Sequence, residues 1–236
     1  MKIKHLYILI CSLLFLSFVI LMITAFKNIS FQVMEDRIAD FPTVIIDAGH
    51  GGEDGGCVAK DGTLEKDINL SISKKLSEML REKGFNVREI RTEDISIYND
   101  NSETLSEKKT SDLHNRLAIF NSNENNVIIS IHQNHFSDSS YYGTQVFYSK
   151  NNSNSKILAE AVRKSVKESL QKDNERETKQ ADKSIFLLDN ATVPAVIVEC
   201  GFLSNDNERE KLKTEEYQNK MAYAICLGFL EYYYTK

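Results

Sequence analysis

Three short runs of aliphatic and β-branched residues constrain the fold of this chain more than any other feature. They comprise residues 44–46, 127–131 and 195–198, and each leads directly into polar residues. Between them, apolar residues recur at helical spacing, as in Ile68, Ile72 and Leu76, until Gly84 interrupts the pattern. Buried strands that alternate with amphipathic helices are typical of an α/β sheet. The sequence therefore predicts an α/β fold: a single domain in which helices cover both faces of one sheet.

The remaining elements are predicted from the same periodicities. Further strands are expected at residues 85–90, 143–148 and 184–188, with helices around residues 113–120, 158–166 and 217–229. The charged stretch Gln171–Lys183 contains no apolar run and is expected to be an exposed loop. Neither an internal repeat nor a second folded domain is indicated.

The N-terminus has a different composition from the rest of the chain. Leu6–Phe26 is an uncharged apolar run of 21 residues that follows Lys2 and Lys4, long enough to cross a hydrocarbon core of roughly 30 Å as one helix. We expect a signal-anchor or transmembrane segment at residues 1–30, a linker at 31–40 and the working domain at 41–236. The domain would then be exported and held on the outer face of the cytoplasmic membrane. Ile23-Thr24-Ala25 leaves cleavage of the leader as an alternative.

Charge and cysteine content exclude other classes of protein. The first 30 residues hold three lysines and no acid, so the remainder carries 26 basic against 34 acidic residues, a net charge of −8. An acidic domain without a basic block does not favour nucleic acid as a partner. Outside the leader there are three cysteines, Cys57, Cys200 and Cys226, without C-x-x-C spacing. No disulfide framework is indicated.

Half of the ten glycines lie in the eight residues from Gly49 to Gly56, immediately after the first predicted strand. Glycines here let the backbone turn sharply and approach a ligand, and ligands of open α/β sheets bind beyond the carboxyl ends of strands. The cluster lacks the ending of a phosphate-binding loop and the spacing of a dinucleotide fingerprint. The histidine within it indicates a metal site instead.

His50 and His132 each follow a buried strand, so neighbouring parallel strands would bring both imidazoles to one edge of the sheet. Two imidazoles and one carboxylate form a catalytic zinc set with a fourth position for water. Glu65 is the expected third ligand because it lies where the glycine loop enters a helix. The alternatives are hydrogen-bonded strand-end histidines, and for Glu65 a carboxylate stabilised by the helix dipole.

Glu199 ends another predicted buried strand, at Ala195–Val198. A carboxylate at the same edge as the metal has the position that a general acid/base requires. The alternative is a surface carboxylate just past the strand. Strand alternation points the neighbouring Cys200 away from Glu199, which disfavours a ligand or nucleophile role for this cysteine.

Together these segments resemble the zinc-dependent N-acetylmuramoyl-L-alanine amidases of the Amidase_3 type, which cleave peptidoglycan. The resemblance covers residues 43–232 and is carried by several separate motifs in order: Ile46-Asp47-Ala48-Gly49-His50-Gly51-Gly52-Glu53-Asp54-Gly55, Glu65-Lys66-Asp67-Ile68-Asn69-Leu70, Arg91-Thr92-Glu93-Asp94, Arg116–Asn121, Ser130-Ile131-His132-Gln133-Asn134, Gly143–Tyr148 and Glu199-Cys200-Gly201-Phe202-Leu203-Ser204-Asn205.

The resemblance implies a twisted, mostly parallel sheet, Zn²⁺ held by His50, Glu65 and His132, and Glu199 as the catalytic carboxylate. A short chain with one membrane segment and no wall-binding repeat resembles the germination-specific, CwlD-type members, which remove the peptide from muramic acid to prepare muramic-δ-lactam in the spore cortex. Gln133 departs from the small residue that commonly follows the second histidine. His135 lies nearby as a candidate substrate contact or alternate ligand.

The implied substrate is a peptidoglycan glycan strand with stem peptides. Three alternatives stay open from the sequence: a vegetative cell-wall amidase, a zinc peptidase that cuts within the stem peptide, and a non-catalytic peptidoglycan-binding protein. An activating protein partner is also left open.

Overall fold

The computed structural model of the protein describes residue 5, residues 13–27 and residues 41–235. Its contacts divide the chain into two units, Met1–Phe41 and Pro42–Lys236. In the first unit, residues 13–27 form helix α1, whose large apolar side chains are exposed. Within the described ranges, no helix combines the length and the apolar character needed to span a membrane. The membrane helix over Leu6–Phe26, part of which lies outside these ranges, stays a prediction, and the linker predicted at 31–40 lies wholly outside them.

The second unit is one α/β domain built on a six-stranded sheet. Its strands are β1 (Thr43–Ala48), β2 (Asn86–Glu89), β3 (Asn126–Asn134), β4 (Gln145–Tyr148), β5 (Lys179–Gln180) and β6 (Ala195–Phe202). Its helices are α2 (Glu65–Glu82), α3 (Leu105–Phe120), α4 (Ser153–Ser169), α5 (Phe186–Asn190), α6 (Asp206–Leu212) and α7 (Glu215–Thr235).

The strand order is β2-β1-β3-β6-β4-β5. Every neighbouring pair is parallel except β4 with β6, which is antiparallel. The mostly parallel sheet implied by the resemblance is therefore confirmed, with one antiparallel pairing that makes it mixed. Because β1, β3 and β6 are parallel neighbours, their carboxyl ends lie at one edge of the sheet, where ligands of such sheets bind.

Both faces of the sheet are covered, because side chains alternate along each strand. Ile45, Ile128 and Ile197 lie on one face and pack with Phe120 of α3 and Leu188 of α5. The alternate residues of β1, β3 and β6 are also fully buried, namely Val44, Ile46, Ile129, Val196 and Val198. Helices α2 and α4 pack against the sheet and α7 packs against both of them. Helices on both faces, as predicted, enclose these continuous apolar strands.

Two of the predicted elements were wrong. Ser184–Leu188 is not a strand, because helix α5 occupies Phe186–Asn190. The Asp189 N–H donates to the Ile185 carbonyl four residues earlier, as in a helical turn. A short apolar run has no clear period, so strand and helix cannot be separated by pattern alone. The stretch Gln171–Lys183 is not wholly an exposed loop, since it contains β5, which pairs with β4, and the buried Asn174.

One buried ion pair links the sheet to α3. Asp47 of β1 is fully buried and accepts from the Arg116 guanidinium and from the Ser130 hydroxyl, the latter at 2.7 Å. Burial by itself would raise the pKa of Asp47, but Arg116 and Ser130 hold it below its usual value. The carboxylate therefore stays charged inside the protein, where it depends on its partners.

Replacing Arg116 with Leu should lower the free energy of unfolding by about 3–5 kcal/mol, because Asp47 would keep a buried charge without its cation. Denaturant titration followed by circular dichroism measures the change. Arg163→Leu is the matched control: its pair with Glu160 is partly exposed, and such pairs contribute about 0–1 kcal/mol. Equal effects in the two variants would contradict the role assigned to Arg116.

Candidate active site

The glycine loop that follows β1 lies against the side chains of the site. A Cβ atom on Gly49 would lie 2.2 Å from the His132 ring, and one on Gly56 would lie 2.6 Å from a Glu65 carboxylate oxygen. Gly56 also has a φ of +67°, in the left-handed region. The close packing of this loop on the ligand candidates thus requires glycine at both positions.

Two buried arginines hold the backbone of this loop. Arg116 donates to the carbonyl oxygens of Ala48 (3.0 Å) and His50 (2.8 Å). Arg91 donates to the carbonyl oxygens of Ala48 (2.8 Å) and Gly49 (3.0 Å). Both arginines are 2% exposed. Three successive carbonyl groups are therefore fixed by charged donors, which places His50 firmly at the end of β1.

His50 adopts a left-handed backbone conformation, with φ of 62°, which is uncommon for a residue other than glycine. Its Nδ1 atom lies 2.9 Å from Asp54 Oδ2, and its Nε2 atom lies 3.3 Å from Glu65 Oε1. Burial lowers the pKa of His50, but the carboxylates of Asp54 and Glu65 outweigh burial and raise it to about 9. The two carboxylates therefore favour a positive charge at the position of the His50 ring.

Glu65 is the first residue of α2 and is only 2% exposed. Its Oε2 atom accepts from the Cys57 backbone N–H at 2.8 Å, and its Oε1 atom accepts from the Gln133 N–H at 3.0 Å and the Asn69 side chain at 3.2 Å. Its burial would raise the pKa, but hydrogen bonds from His132 and His50 hold the pKa of Glu65 well below its usual value. A fixed, buried anion thus lies between two imidazoles.

His50, Glu65 and His132 each offer one ligand atom, and these atoms all lie within 4.8 Å of one another. His132 Nδ1 is 3.0 Å from Glu65 Oε1, and the two imidazole rings are 5.0 Å apart between centroids. Two nitrogen donors and one carboxylate match the donor set of a catalytic zinc site. Asp54 on the far nitrogen of His50 is the kind of carboxylate that orients a ligating histidine. The donor set and its surroundings fit zinc.

Glu199 lies on β6 directly opposite His132 on β3. Its Oε2 atom is buried and has no hydrogen-bond partner within the described part of the chain. Burial raises the pKa of Glu199 to about 7, with the charges of His132 lowering it and that of Glu65 raising it. A carboxyl group that titrates near neutral pH beside a cation site is suited to receive and return a proton.

The structure also places the other residues singled out from the sequence. His135 is exposed and does not belong to the convergent group of His50, Glu65 and His132. Cys200 is fully buried. Gln133 is buried, and its side chain donates to Asn69 at 3.1 Å. Gln133 thus supports the amide that contacts Glu65.

Sequence reasoning missed three residues that support the site: Asp54, Arg91 and Arg116. All three stand inside motifs noted in the sequence, but nothing in their local pattern shows which backbone or side-chain atoms they reach. A charged residue just before a predicted helix or within a helical stripe is usually solvated. The signal that could have found Arg116 is its position on the inner face of α3, four residues before Phe120.

Comparison with known proteins identifies the class of enzyme. The Amidase_3 family model, described as N-acetylmuramoyl-L-alanine amidase, matches residues 44–231. The chain belongs to this family, and it is an N-acetylmuramoyl-L-alanine amidase, an enzyme of peptidoglycan. The family resemblance and the enzyme class predicted from the sequence are therefore confirmed.

Individual relatives are similar over most of the chain. The germination-specific N-acetylmuramoyl-L-alanine amidase of Bacillus subtilis (strain 168) is 34% identical over 196 residues, which cover 82% of this chain and 80% of the relative. The CwlD amidase from Clostridioides difficile, solved in complex with the GerS lipoprotein, is 42% identical with a TM-score of 0.79, covering 83% of this chain and 100% of that one. An N-acetylmuramoyl-L-alanine amidase from Clostridium difficile 630 is 32% identical with a TM-score of 0.72, covering 84% and 99%.

Proposed function

We propose that this amidase is zinc-dependent, that His50, Glu65 and His132 hold the metal, and that Glu199 is its general acid/base. The observation that carries the proposal is the convergence of three donor atoms within 4.8 Å beside a buried Glu199 oxygen that has no hydrogen-bond partner in the described ranges. The scissile bond is the amide between the lactyl carbonyl of N-acetylmuramic acid and L-Ala. Bound zinc would polarise that carbonyl and lower the pKa of water from about 15.7 towards roughly 7.

The residues of the chain perform the proton transfers. Glu199 takes a proton from the attacking water and delivers it to the nitrogen of the departing L-Ala, so one carboxyl group acts first as base and then as acid. Its pKa, raised by burial to about 7, lets it hold the proton between the two steps near neutral pH. Asp54, at 2.9 Å from His50 Nδ1, keeps the opposite nitrogen of that ring directed at Glu65 and the metal position.

Replacing Glu199 with Gln should reduce amide cleavage by at least about 100-fold, because the variant keeps the size of the side chain and loses proton transfer. Folding and zinc content should be retained, since Glu199 is not in the ligand set. Mass spectrometry of digested peptidoglycan measures new L-Ala amino termini on intact stem peptides, and metal analysis measures zinc.

Glu168→Gln, at an exposed position on α4, serves as the control and should cleave at the wild-type rate. A Glu199→Gln enzyme with full zinc and wild-type activity would assign the base to another residue. Internal cuts within the stem peptide would identify a peptidase instead of an amidase.

We further propose that the substrate is spore cortex peptidoglycan, in which removal of the stem peptide prepares muramic-δ-lactam for germination. The proposal is supported by the similarity to the germination-specific relative of Bacillus subtilis and to the CwlD amidase. Deletion of the gene in its sporulating host should remove muramic-δ-lactam from the cortex, as measured by muropeptide analysis. Wild-type lactam with altered vegetative muropeptides would favour the vegetative amidase.

For its location, we propose export and anchoring outside the cytoplasmic membrane through the N-terminal apolar run, with a lipoprotein as partner. The exposed apolar side chains of residues 13–27 support the anchor, and the complex of the CwlD amidase with the GerS lipoprotein supports the partner. The full-length chain should sediment with membranes, be cut by externally added protease and co-purify with a lipoprotein. Recovery in the cytosolic fraction would contradict the anchor, and recovery without a lipoprotein would contradict the partner.

A further inference from the structure

A groove with a volume of about 400 Å³ lies between the loop that follows β3 and the loop at residues 173–176. Its lining combines two aromatic rings with planar polar side chains: Tyr141, Tyr142, Asp173, Asn174, Glu175 and Arg176. None of these residues belongs to the convergent group of His50, Glu65 and His132.

The groove belongs to the same edge of the sheet as the candidate metal centre. His132 pairs with Glu199 between β3 and β6, and Asn134 pairs with Phe202 at the next position along both strands. At about 3.3 Å per residue, this places Phe202 roughly 7–10 Å along β6 from Glu199. A polymer that passes the catalytic carboxylate would reach the aromatic residues within one or two of its units.

Arg176 and Phe136 hold one of the two aromatic rings of the groove in place. The Arg176 guanidinium lies over the Phe202 ring at 4.6 Å and over the Tyr141 ring at 5.5 Å, and its Nε donates to the Tyr142 carbonyl at 2.7 Å. Phe136 contacts Tyr141 edge to face at 4.9 Å. Tyr141, whose ring is fixed in this way, remains 44% exposed, and Tyr142, which Arg176 contacts at the backbone, is 54% exposed. Rigid, exposed rings are typical of recognition surfaces, because little entropy is lost when a ligand packs on them.

The polar side chains of the groove suit the neutral groups of a sugar. Asp173 and Glu175 are exposed acids in its lining, beside the Arg176 guanidinium, and Glu175 also pairs with Lys167 at 2.9 Å. The same acids accept hydrogen bonds from neutral hydroxyl and N–H groups. A sugar ring offers both features that the groove can use, an apolar face of C–H groups for an aromatic ring and a rim of donors for the acids.

We propose that this groove binds the glycan strand beside the muramic acid that is cleaved, with hexosamine rings packed on Tyr141 and Tyr142. This inference deepens the proposed function and rests on it. The groove then sets the direction of the substrate: sugars extend from the metal centre past Phe202, and the stem peptide leaves the site on another side. Strands with several disaccharide repeats should consequently be better substrates than a muropeptide with a single sugar pair.

Direct binding tests the groove without cleavage. Full-length Glu199→Gln protein is titrated calorimetrically with peptide-free glycan made of N-acetylglucosamine–N-acetylmuramic acid repeats. Adding Tyr141→Ala or Tyr142→Ala should weaken binding roughly threefold to tenfold, the range expected for loss of an aromatic contact. Tyr142→Phe should restore binding, since the ring remains. Tyr223→Ala, which removes a tyrosine of similar exposure (53%) on α7, should bind as the parent does.

Kinetics separate this inference from the proposed function. The enzyme with Glu199 intact should show higher kcat/KM on multi-repeat strands than on the single-pair muropeptide, and Tyr142→Ala should reduce that ratio through KM. Cleavage of both substrates with equal kcat/KM, or glycan binding unchanged in both alanine variants, would overturn the groove and leave the amidase intact. Glycan binding that depends on Tyr142 in an enzyme that cleaves neither substrate would overturn the proposed function alone. If the alanine variants lose a protein partner while their glycan binding is unchanged, the groove is a protein interface instead.

Discussion

The geometry of the site depends on the buried ion pair between Arg116 and Asp47 and on the hydrogen bonds that the same guanidinium donates to the loop after β1. The guanidinium joins three elements at once: the Asp47 carboxylate inside β1, the helix α3 from which it extends, and the carbonyl oxygens of Ala48 and His50 at the end of the strand. Because Asp47 and Arg116 are both removed from water, loss of either partner would strongly lower the free energy of unfolding. The loop that presents His50 is therefore tied to the interior of the sheet, although it lies at its edge.

The two glutamates of the site, Glu65 and Glu199, differ in their surroundings and therefore in their charge. Glu65 receives donors on both oxygens and stays ionised between two imidazoles. The Oε2 atom of Glu199 has no hydrogen-bond partner among the residues that the structure describes, and burial raises the pKa of Glu199 to about 7. Two glutamates of the same chemistry thereby acquire different properties, one suited to hold a cation and the other to exchange a proton. Their hydrogen bonds account for the difference.

The parts of this arrangement that depend on local pattern were predictable from sequence. His50, His132 and Glu199 each terminate a β-branched run, so a parallel sheet had to bring them to one edge. Arg91 and Arg116 could not be assigned in the same way, since they act on carbonyl groups more than 40 residues away in the chain. Ser184–Leu188 was wrongly predicted as a strand because five residues are too few to establish a period. Strand β5 was missed because its two residues, Lys179 and Gln180, are polar and exposed and form no apolar run.

Strands β3 and β6 change register just beyond Glu199. Between the pairs His132 with Glu199 and Asn134 with Phe202, β3 advances by two residues and β6 by three. In a regular strand, positions three apart point to opposite faces. The additional residue in β6 is a bulge that brings Phe202 onto the face of Glu199. If all three residues of β6 instead continued in regular pairing, Phe202 would point to the face opposite Glu199. The bulge therefore keeps Glu199 and the aromatic ring beside the groove on one face of the sheet.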